Sequence, residues 1–284
     1  MEPSPSCKCV LITGCSSGIG RLTATRLLAA GWRVMATTRY PDSFQNIKSD
    51  KLRIIPFDVA SKTGREKIVQ SVSKNCPNGL DCLVNNAGYS LAGPLEALTD
   101  EQIRDQFEVN LFAPLLLIRD LLPALRVAKG KVINISSALG FVGMPMQSLY
   151  AASKFALEGL SESLSYELDS HGVQVIIVEP GGFRTRFAEN TQWPDNGIAT
   201  PTPLYNQQLQ GYKTFFLRSS TQGEGNDPAQ VANLIVRLAS QQSVPLRARV
   251  GADAHALYFL RHFLPQKMAD RVLRRISHQI LDTR

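Results

Sequence analysis

Six short runs of apolar residues recur along this chain of 284 residues, with helical patterns between them. Nearly continuous apolar runs of this kind are typical of strands in a parallel sheet that is covered on both faces by helices. The length allows one large α/β domain with a substantial core. The predicted strands are residues 10–12, 34–36, 53–56, 82–85, 131–135 and 173–178, and residues 247–250 are a candidate for a seventh strand at the sheet edge.

A glycine-rich turn follows the first predicted strand and precedes a helical pattern. In that setting Gly14 makes the tight turn, Gly18 lets the backbone approach a pyrophosphate, and Gly20 lets the helix pack on the sheet. The helix N-terminus adds free N–H groups and a partial positive charge. The sequence therefore predicts a doubly wound Rossmann fold; an ordinary Gly/Ser turn is the alternative. The predicted cofactor-binding residues here are Gly14, Ser16, Ser17, Gly18, Ile19 and Gly20.

The second predicted strand ends in Thr37, Thr38 and Arg39 without an acidic residue. An NAD site usually places Asp or Glu there to bind the ribose hydroxyls. The planar, permanently charged guanidinium of Arg39 suits a 2′-phosphate instead. The sequence therefore predicts NADP(H) as the cofactor. A solvated loop arginine is the alternative, and Asp42 lies close by.

Tyr150 and Lys154 are four residues apart and would share one face of a helix. An ammonium ion beside a phenol stabilises the phenolate, which lowers the pKa of the phenol toward the working pH. Ser137 lies thirteen residues upstream of Tyr150 and can hold a carbonyl oxygen while the phenol protonates it. The three residues predict the reduction of a ketone or the oxidation of an alcohol, whereas an ordinary surface pair is the alternative for Tyr150 and Lys154.

With these motifs in order, the chain resembles the short-chain dehydrogenase/reductase family over about residues 8–186. The part from residue 158 to 186 resembles the branch that holds 17β-hydroxysteroid and retinol dehydrogenases. The motifs that carry the resemblance are residues 13–20, Asp58 with Val59, residues 85–88, Asn110, Ser137, Tyr150 with Lys154, and Pro180 and Gly181 with Thr185.

The resemblance implies the role of each catalytic residue. Tyr150 would be the general acid and base, Lys154 would lower its pKa and bind the nicotinamide ribose, and Ser137 would orient the substrate oxygen. Asn110 would hold, through its main chain, a water that links Lys154 to solvent. A helix cap or bend is the alternative for Asn110.

The resemblance also implies further contacts to the cofactor. Asp58 would accept a hydrogen bond from the adenine amino group, and Val59 would pack on the adenine ring. The turn of Asn86, Ala87 and Gly88 would lie against the cofactor. Pro180, Gly181 and Thr185 would contact its nicotinamide end, with an N-cap as the alternative for Thr185.

Aromatic and apolar residues in three segments predict a hydrophobic ketone or secondary alcohol as the substrate. A steroid or retinoid is one suggestion from the family branch. The anchoring of loops to the domain is the alternative role for these aromatic residues. The candidate substrate-binding residues are Leu91, Leu139, Phe141, Met144, Phe187 and Trp193.

The whole chain is expected to form one catalytic domain in three parts. Residues 8–186 would be the cofactor-binding and catalytic core, residues 187–227 a mobile lid loop, and residues 228–284 a helical C-terminal segment. Apolar faces on residues 100–125 and 151–170 predict a homodimer or homotetramer by analogy with the family.

Composition and charge indicate the cell compartment in which the protein is expected. The five cysteines are odd in number and form no C-x-x-C, which indicates reduced thiols in a cytoplasm. No secretory signal, membrane span or histidine grouping typical of a metal site is expected. The net charge is +7 and partly concentrates near the C-terminus, beside an apolar stripe of Met268, Val272, Ile276 and Ile280. Packing of that helix on its own domain and peripheral membrane contact are both open.

Two other classes of function stay open. One is a catalytically silent dinucleotide-binding sensor or scaffold, against which the intact Asn110, Ser137, Tyr150 and Lys154 argue. The other is a membrane-surface or nucleic-acid binder that uses the basic C-terminal helix, although nucleic acid is not expected as a partner.

Overall fold

The computed structural model describes residues 7–58, 60–194, 203–221 and 225–282, with the backbone alone for residues 203, 204 and 219–221. All strands in this part of the chain lie parallel in one sheet. They are β1 (Cys9–Ile12), β2 (Arg33–Thr38), β3 (Leu52–Pro56), β4 (Cys82–Asn85), β5 (Lys131–Ile135), β6 (Gln174–Pro180) and β7 (Arg247–Val250). Their order across the sheet is β3-β2-β1-β4-β5-β6-β7. The predicted seven-stranded, doubly wound sheet is confirmed, including the edge strand.

Helices connect the strands and cover both faces of the sheet. They are α1 (Gly18–Ala29), α2 (Lys62–Asn75), α3 (Asp100–Phe107), α4 (Ala113–Ala128), α5 (Ser148–Asp169), α6 (Pro203–Thr221), α7 (Ala229–Ser240), α8 (Ala252–Phe263) and α9 (Gln266–Leu281). A π-helical turn, Glu108–Phe112, joins α3 to α4. A 3₁₀ turn, Ala138–Gly140, follows β5.

Alternate residues of each strand point to opposite faces, so the sheet supplies two apolar cores. On one face the odd-numbered Leu11 aligns with Met35 of β2 and Leu83 of β4, and the three pack against α2 and α4. On the other face Val10 and Ile12 pack against α1 and α7. Each large apolar side chain buried in this way contributes roughly 1.5–3 kcal/mol to the free energy of folding.

The expected lid loop, residues 187–227, is partly helical, because α6 lies within it. Leu209 and Tyr212 of α6 are buried, and α6 packs against α9. Burial against the rest of the fold therefore stabilises a helix within a segment whose Pro, Gly, Asn and Gln residues predict a loop. Residues 195–202 and 222–224 of that segment lie outside the described residues.

The apolar stripe of α9 is divided between the fold and the surface. Ile280 is buried and Ile276 packs beside it on the cluster that includes Tyr212. Met268 and Val272 are exposed. No helix in the described parts of the chain combines the length and the apolar character that a membrane span requires.

Candidate active site

The sheet brings the predicted site residues to its carboxyl edge, next to the point where the strand order reverses between β1 and β4. Open parallel sheets bind ligands in the crevice at such a point, because the connections leave the sheet there in opposite directions. The glycine turn follows β1, Arg39 follows β2, Asp58 follows β3 and Ser137 follows β5. Residues far apart in sequence thus share one edge.

The glycine turn is shaped for close approach. Gly14 and Gly18 have φ values of 71° and 55°, which side-chain-bearing residues rarely adopt. A Cβ atom on Gly14 would lie 2.8 Å from Cα of Ala87, and one on Gly20 would collide with the carbonyl oxygen of Gly14. Ser17 precedes α1, whose first turn has no acidic side chain. Its free N–H groups therefore suit a pyrophosphate, and these residues fit a bound dinucleotide.

The turn after β4 holds the glycine turn in place. The side-chain amide of Asn86 donates to the carbonyl oxygens of Thr13 and Gly14, at 2.9 and 3.1 Å. The hydroxyl oxygen of Thr13 accepts from the backbone N–H groups of Asn86 and Ala87, both at 3.0 Å. Gly88 permits a second close approach, since a Cβ atom there would lie 3.1 Å from Oδ1 of Asn110.

The strand ends for the adenosine half carry Arg39 and Asp58. Arg39 is exposed, with its guanidinium carbon 5.9 Å from the ring centroid of Tyr40. Thr38 is buried, and its hydroxyl oxygen accepts from the backbone N–H of Tyr40 at 2.9 Å, which fixes the turn. Asp58 is exposed, and its Oδ1 accepts from the backbone N–H of Ala60 at 3.0 Å. The predicted adenine contact Val59 lies outside the described residues.

Helix α5 presents Tyr150 and Lys154 on one buried face, as the spacing predicts. Nζ of Lys154 lies 5.7 Å from the ring centroid of Tyr150 and donates to the carbonyl oxygen of Ile135 at 2.8 Å. Ser137 follows β5 directly, and its hydroxyl oxygen accepts from the backbone N–H of Leu139 at 3.1 Å. The three side chains therefore converge at the end of β5.

Burial dominates the electrostatics of this group. It raises the pKa of Tyr150 to about 12, and a hydrogen bond with Ser137 acts in the opposite direction. Burial also lowers the pKa of Lys154 to about 8, opposed by the negative charge of Glu158. Desolvation disfavours the charged form of each group, the phenolate and the ammonium. The lowering of the Tyr150 pKa by Lys154 stays a prediction.

Asn110 connects the strand edge to α5 through its side chain. It lies in the π-helical turn, where its Nδ2 donates to the carbonyl oxygen of Tyr89 at 3.0 Å and to the hydroxyl oxygen of Ser153 at 3.2 Å. Its Oδ1 accepts from the backbone N–H of Tyr89 at 3.1 Å. The Ser153 hydroxyl in turn donates to the carbonyl oxygen of Tyr150 at 2.7 Å. π-Helical turns are frequent at functional sites.

Beyond β6 the chain passes Pro180 and Gly181, the expected nicotinamide contacts. The backbone N–H of Gly181 donates to the carbonyl oxygen of Val250 at 3.0 Å. A Cβ atom on Gly181 would collide with the carboxylate of Asp253, whose Oδ2 accepts from the backbone N–H of Gly182 at 2.6 Å. Asp253 therefore fixes this turn from α8.

Thr185 lies beside the phosphate turn and also caps the segment that follows. A Cβ atom on Gly18 would lie 3.4 Å from Cβ of Thr185. The Thr185 hydroxyl oxygen accepts from the backbone N–H of Phe187 at 3.2 Å. The two roles considered for Thr185 are therefore compatible.

Phe187 is the candidate substrate residue that borders Tyr150, with ring centroids 5.7 Å apart in an edge-to-face arrangement. Leu91 is buried and pairs with Gln192 in a short β-bridge. Trp193 and Met144 pack farther along, in the cluster that contains Tyr212. These residues place apolar side chains on the side of Tyr150 that Phe187 borders.

Phe141 does not join this group, contrary to the expectation that it binds substrate beside the others. Its ring meets Tyr258 and His262 of α8 at centroid distances of 5.6 and 6.1 Å. It thus lines a separate cleft between α5, β7 and α8. Phe141 follows the 3₁₀ turn directly and lies on the α8 side, whereas Leu139, within the turn, is half-buried and donates its backbone N–H to Ser137.

The sequence did not predict two buried polar residues of the site, Gln147 and Glu158. Gln147 accepts from the hydroxyl of Ser90 and donates to the hydroxyl oxygen of Tyr212, both at 2.8 Å, and so ties α6 to the site. Glu158 lies one helical turn beyond Lys154. Its place four residues after Lys154 was the signal that could have revealed it.

A doubly wound sheet with Ser137 and the buried Tyr150 and Lys154 beside its switch point belongs to an oxidoreductase that acts on alcohol and ketone groups. The family model of the short chain dehydrogenases matches residues 8–195. The chain belongs to that family.

Similar proteins agree with this assignment. The chain is 35% identical over 273 residues to a 3-ketodihydrosphingosine reductase of Bacteroides thetaiotaomicron, covering 93% of this chain and 96% of the relative. A short-chain dehydrogenase from Streptomyces avermitilis superposes with a TM-score of 0.78 at 33% identity, covering 97% and 96% of the two chains. A metagenomic short-chain oxidoreductase in complex with NADP has a TM-score of 0.66 at 28% identity, covering 86% and 96%. A nicotinamide dinucleotide is the cofactor class of such relatives.

Proposed function

We propose that this protein is an NADP(H)-dependent oxidoreductase that interconverts a hydrophobic ketone and its secondary alcohol. The convergence of Ser137, Tyr150 and Lys154 beside an apolar cleft wall carries the proposal. The bound dinucleotide supplies or accepts a hydride at the substrate carbon. The residues of the chain bind that cofactor, orient the substrate oxygen and move its proton.

Proton transfer falls to Tyr150. As negative charge grows on the carbonyl oxygen, the hydroxyls of Ser137 and Tyr150 donate to that oxygen, and Tyr150 gives up its proton. The ammonium of Lys154 stabilises the resulting phenolate and holds the nicotinamide ribose. Asn110 keeps α5 and the turn after β4 together, so that the path from Lys154 to solvent stays ordered.

The cofactor preference rests on the end of β2. Arg39 is exposed there, and Thr37, Thr38 and Arg39 supply no carboxylate at the end of β2 to bind the ribose hydroxyls. The NADP complex of the metagenomic relative agrees with this choice.

The substrate class rests on Phe187, Leu91 and the cluster of Trp193 and Met144. An apolar wall beside the proton donor favours a bulky or long-chain ketone. A steroid or retinoid satisfies this, and so does a long-chain keto lipid of the kind that the Bacteroides relative is named for.

A panel of hydrophobic ketones and alcohols with NADPH and NADP⁺, followed at the nicotinamide absorbance, tests the proposal. Turnover is expected with at least one bulky ketone. Tyr150→Phe keeps the ring and removes the proton, so kcat should fall by roughly 10²–10⁴-fold while NADPH binds nearly as before. Full activity of Tyr150→Phe on a verified substrate would refute the mechanism, and NADPH binding without turnover of any substrate would favour the silent sensor.

Assembly is a further part of the proposal. Phe112, Phe155 and Tyr166 are exposed on the helical segments that the family pairs across a two-fold axis. We propose a homodimer or homotetramer built on these segments, in the cytoplasm.

A second candidate function, peripheral membrane contact, is favoured by the exposed part of α8 and α9. Phe259, Phe263 and Met268 are 58%, 68% and 52% exposed. On α9, Arg271 and Arg275 lie three and seven residues after Met268 and so flank it on the same exposed side. Apolar side chains beside cationic ones suit an anionic lipid surface.

A further inference from the structure

Helix α5 carries a third buried polar residue in line with Tyr150 and Lys154. Glu158 follows Lys154 by four residues and is itself 7% exposed. Charged side chains are rarely buried unless they are paired, so the burial of Glu158 next to the site needs a physical explanation. We propose that Glu158 is a positioning residue that keeps the Lys154 ammonium charged and holds the turn that carries Ser137. The proposal rests on the proposed function of the site.

The link to Lys154 is electrostatic. Burial alone drives Lys154 toward its neutral amine, and the carboxylate of Glu158 is the charge that raises its pKa again. Lys154 lowers the pKa of Glu158 in return. Nζ donates to the carbonyl oxygen of Ile135 and lies 5.7 Å from the ring centroid of Tyr150, and among the described residues Glu158 is the charged group that shifts its pKa. Glu158 is thus the anion on which the charge of Lys154 depends.

The link to Ser137 runs through the preceding serine and the 3₁₀ turn. The hydroxyl of Ser136 lies near the Glu158 carboxylate and lowers the pKa of Glu158. Both Oγ of Ser136 and Oε1 of Glu158 are buried, and neither has a well-aligned partner within the described part of the chain. A Cβ atom on Gly140 would lie 3.0 Å from the Glu158 side chain. The Glu158 side chain therefore packs against the 3₁₀ turn at Gly140.

Arg247 of β7 anchors the other carboxylate oxygen. Its Nε lies 3.1 Å from Oε2 of Glu158, and its second branch lies 2.6 Å from Glu162. Burial raises the pKa of Glu158, and the hydrogen bond and charge of Arg247 oppose that rise, so the arginine favours the ionised carboxylate.

Further charges face Glu158 from the neighbouring elements. Burial and the charge of Glu158 raise the pKa of Glu179 on β6 to about 7, and Arg249 of β7 pairs with Glu179 at 2.7 Å. Arg261 and His262 of α8 line the open side of the same cleft. Of these charges, Glu158 is the one that acts on the pKa of Lys154, so the electrostatic effect of a change at position 158 reaches the site through Lys154.

Glu158→Gln tests the proposal because it keeps the shape and removes the charge. In protein labelled with ¹³Cε-lysine and free of cofactor, the Lys154 resonance, assigned by its loss in Lys154→Met, should titrate at a pH about one unit or more below the wild-type midpoint. Ketone reduction should then show a high-pH limb displaced downward by the same amount, with rates close to wild type near about pH 6, where the lysine is still charged.

Glu162→Gln is the matched control. Glu162 lies on the same helix and binds the same arginine, but it is farther from Lys154 and more exposed. It should leave both profiles unchanged. Glu158→Asp keeps the charge and should titrate close to wild type. An unmoved Lys154 midpoint in Glu158→Gln, an equal loss of activity at every pH, or the same displacement in Glu158→Asp would overturn the proposal. The titration of Lys154 needs no substrate, so its result is independent of turnover. An unmoved midpoint would refute the role of Glu158 even if the wild-type protein reduces ketones, and a lack of turnover would refute the proposed function even if the midpoint moves.

Discussion

At the scale of single residues, burial shifts the pKa values of Tyr150 and Lys154 in opposite directions. Burial holds the phenol of Tyr150 neutral, with a pKa of about 12, and brings the pKa of Lys154 down to about 8. Below the pKa of Lys154 the pair consists of a neutral proton donor and a cation, the state that ketone reduction requires. Oxidation requires the phenolate and should therefore quicken as the pH rises.

Arg39 decides the cofactor at the same scale. Arg39→Ala should weaken NADPH binding by about one to two decades, since a charge-assisted hydrogen bond is worth roughly 1.5–3 kcal/mol. NADH binding should stay nearly constant, because NADH lacks the 2′-phosphate. Dissociation constants from nicotinamide fluorescence measure both effects. Arg53→Ala, which removes an exposed arginine from β3, is the control and should change neither constant. Equal affinity of the unmodified protein for the two cofactors would contradict the choice of NADP(H).

At the scale of elements, the glycine turn couples α1 to the sheet through Gly20. Gly20→Ala should lower both NADPH affinity and the melting temperature, because the added Cβ collides with backbone oxygen of Gly14, which cannot move freely. The φ of Gly20 is not in the left-handed region, so the cost is steric alone. Thermal unfolding with and without NADPH measures both effects.

Gly159→Ala is its counterpart on α5, where a Cβ atom meets no atom within 4 Å. It should raise stability by about 0.5–1 kcal/mol, since alanine favours a helix over glycine. A Gly20→Ala protein as stable as wild type, with unchanged affinity, would show that the packing argument is wrong.

The elements also show what the sequence could reveal. The strands were predictable because their apolar runs are short, nearly continuous and regularly spaced. Helix α6 was not, because its buried Leu209 and Tyr212 are scattered among Gln and Asn, and their partners come from the distant α9. The aligned Tyr150 and Lys154 were predictable from their spacing, whereas the turn that sends Phe141 toward α8 depends on tertiary contacts.

At the scale of the whole molecule, α9 serves two surfaces. Its C-terminal half packs through Ile280 on the cluster of Tyr212, next to the apolar side of the cleft. Its N-terminal half leaves Met268 exposed beside Arg271 and Arg275. The Arg261–Asp270 ion pair, at 3.5 Å, links the exposed parts of α8 and α9. If a membrane binds this protein, the exposed side chains of α8 and the first half of α9 are the surface that it would contact.

The protein should therefore sediment with vesicles that contain anionic phosphatidylserine and much less with neutral phosphatidylcholine vesicles. Added salt should weaken the binding, because the charge attraction is screened over about 8–10 Å at physiological ionic strength. Phe263→Ser with Arg271→Glu should abolish sedimentation while ketone reduction in solution persists, since neither side chain belongs to the catalytic group. Glu101→Gln, an exposed change on α3, is the control and should sediment like wild type. Light scattering of the same protein without vesicles measures its mass in solution, which should be that of the proposed dimer or tetramer. No recovery with either vesicle type would remove the membrane from the proposal and leave α9 as a packing helix alone, whereas equal recovery with both would contradict the role given to the arginines.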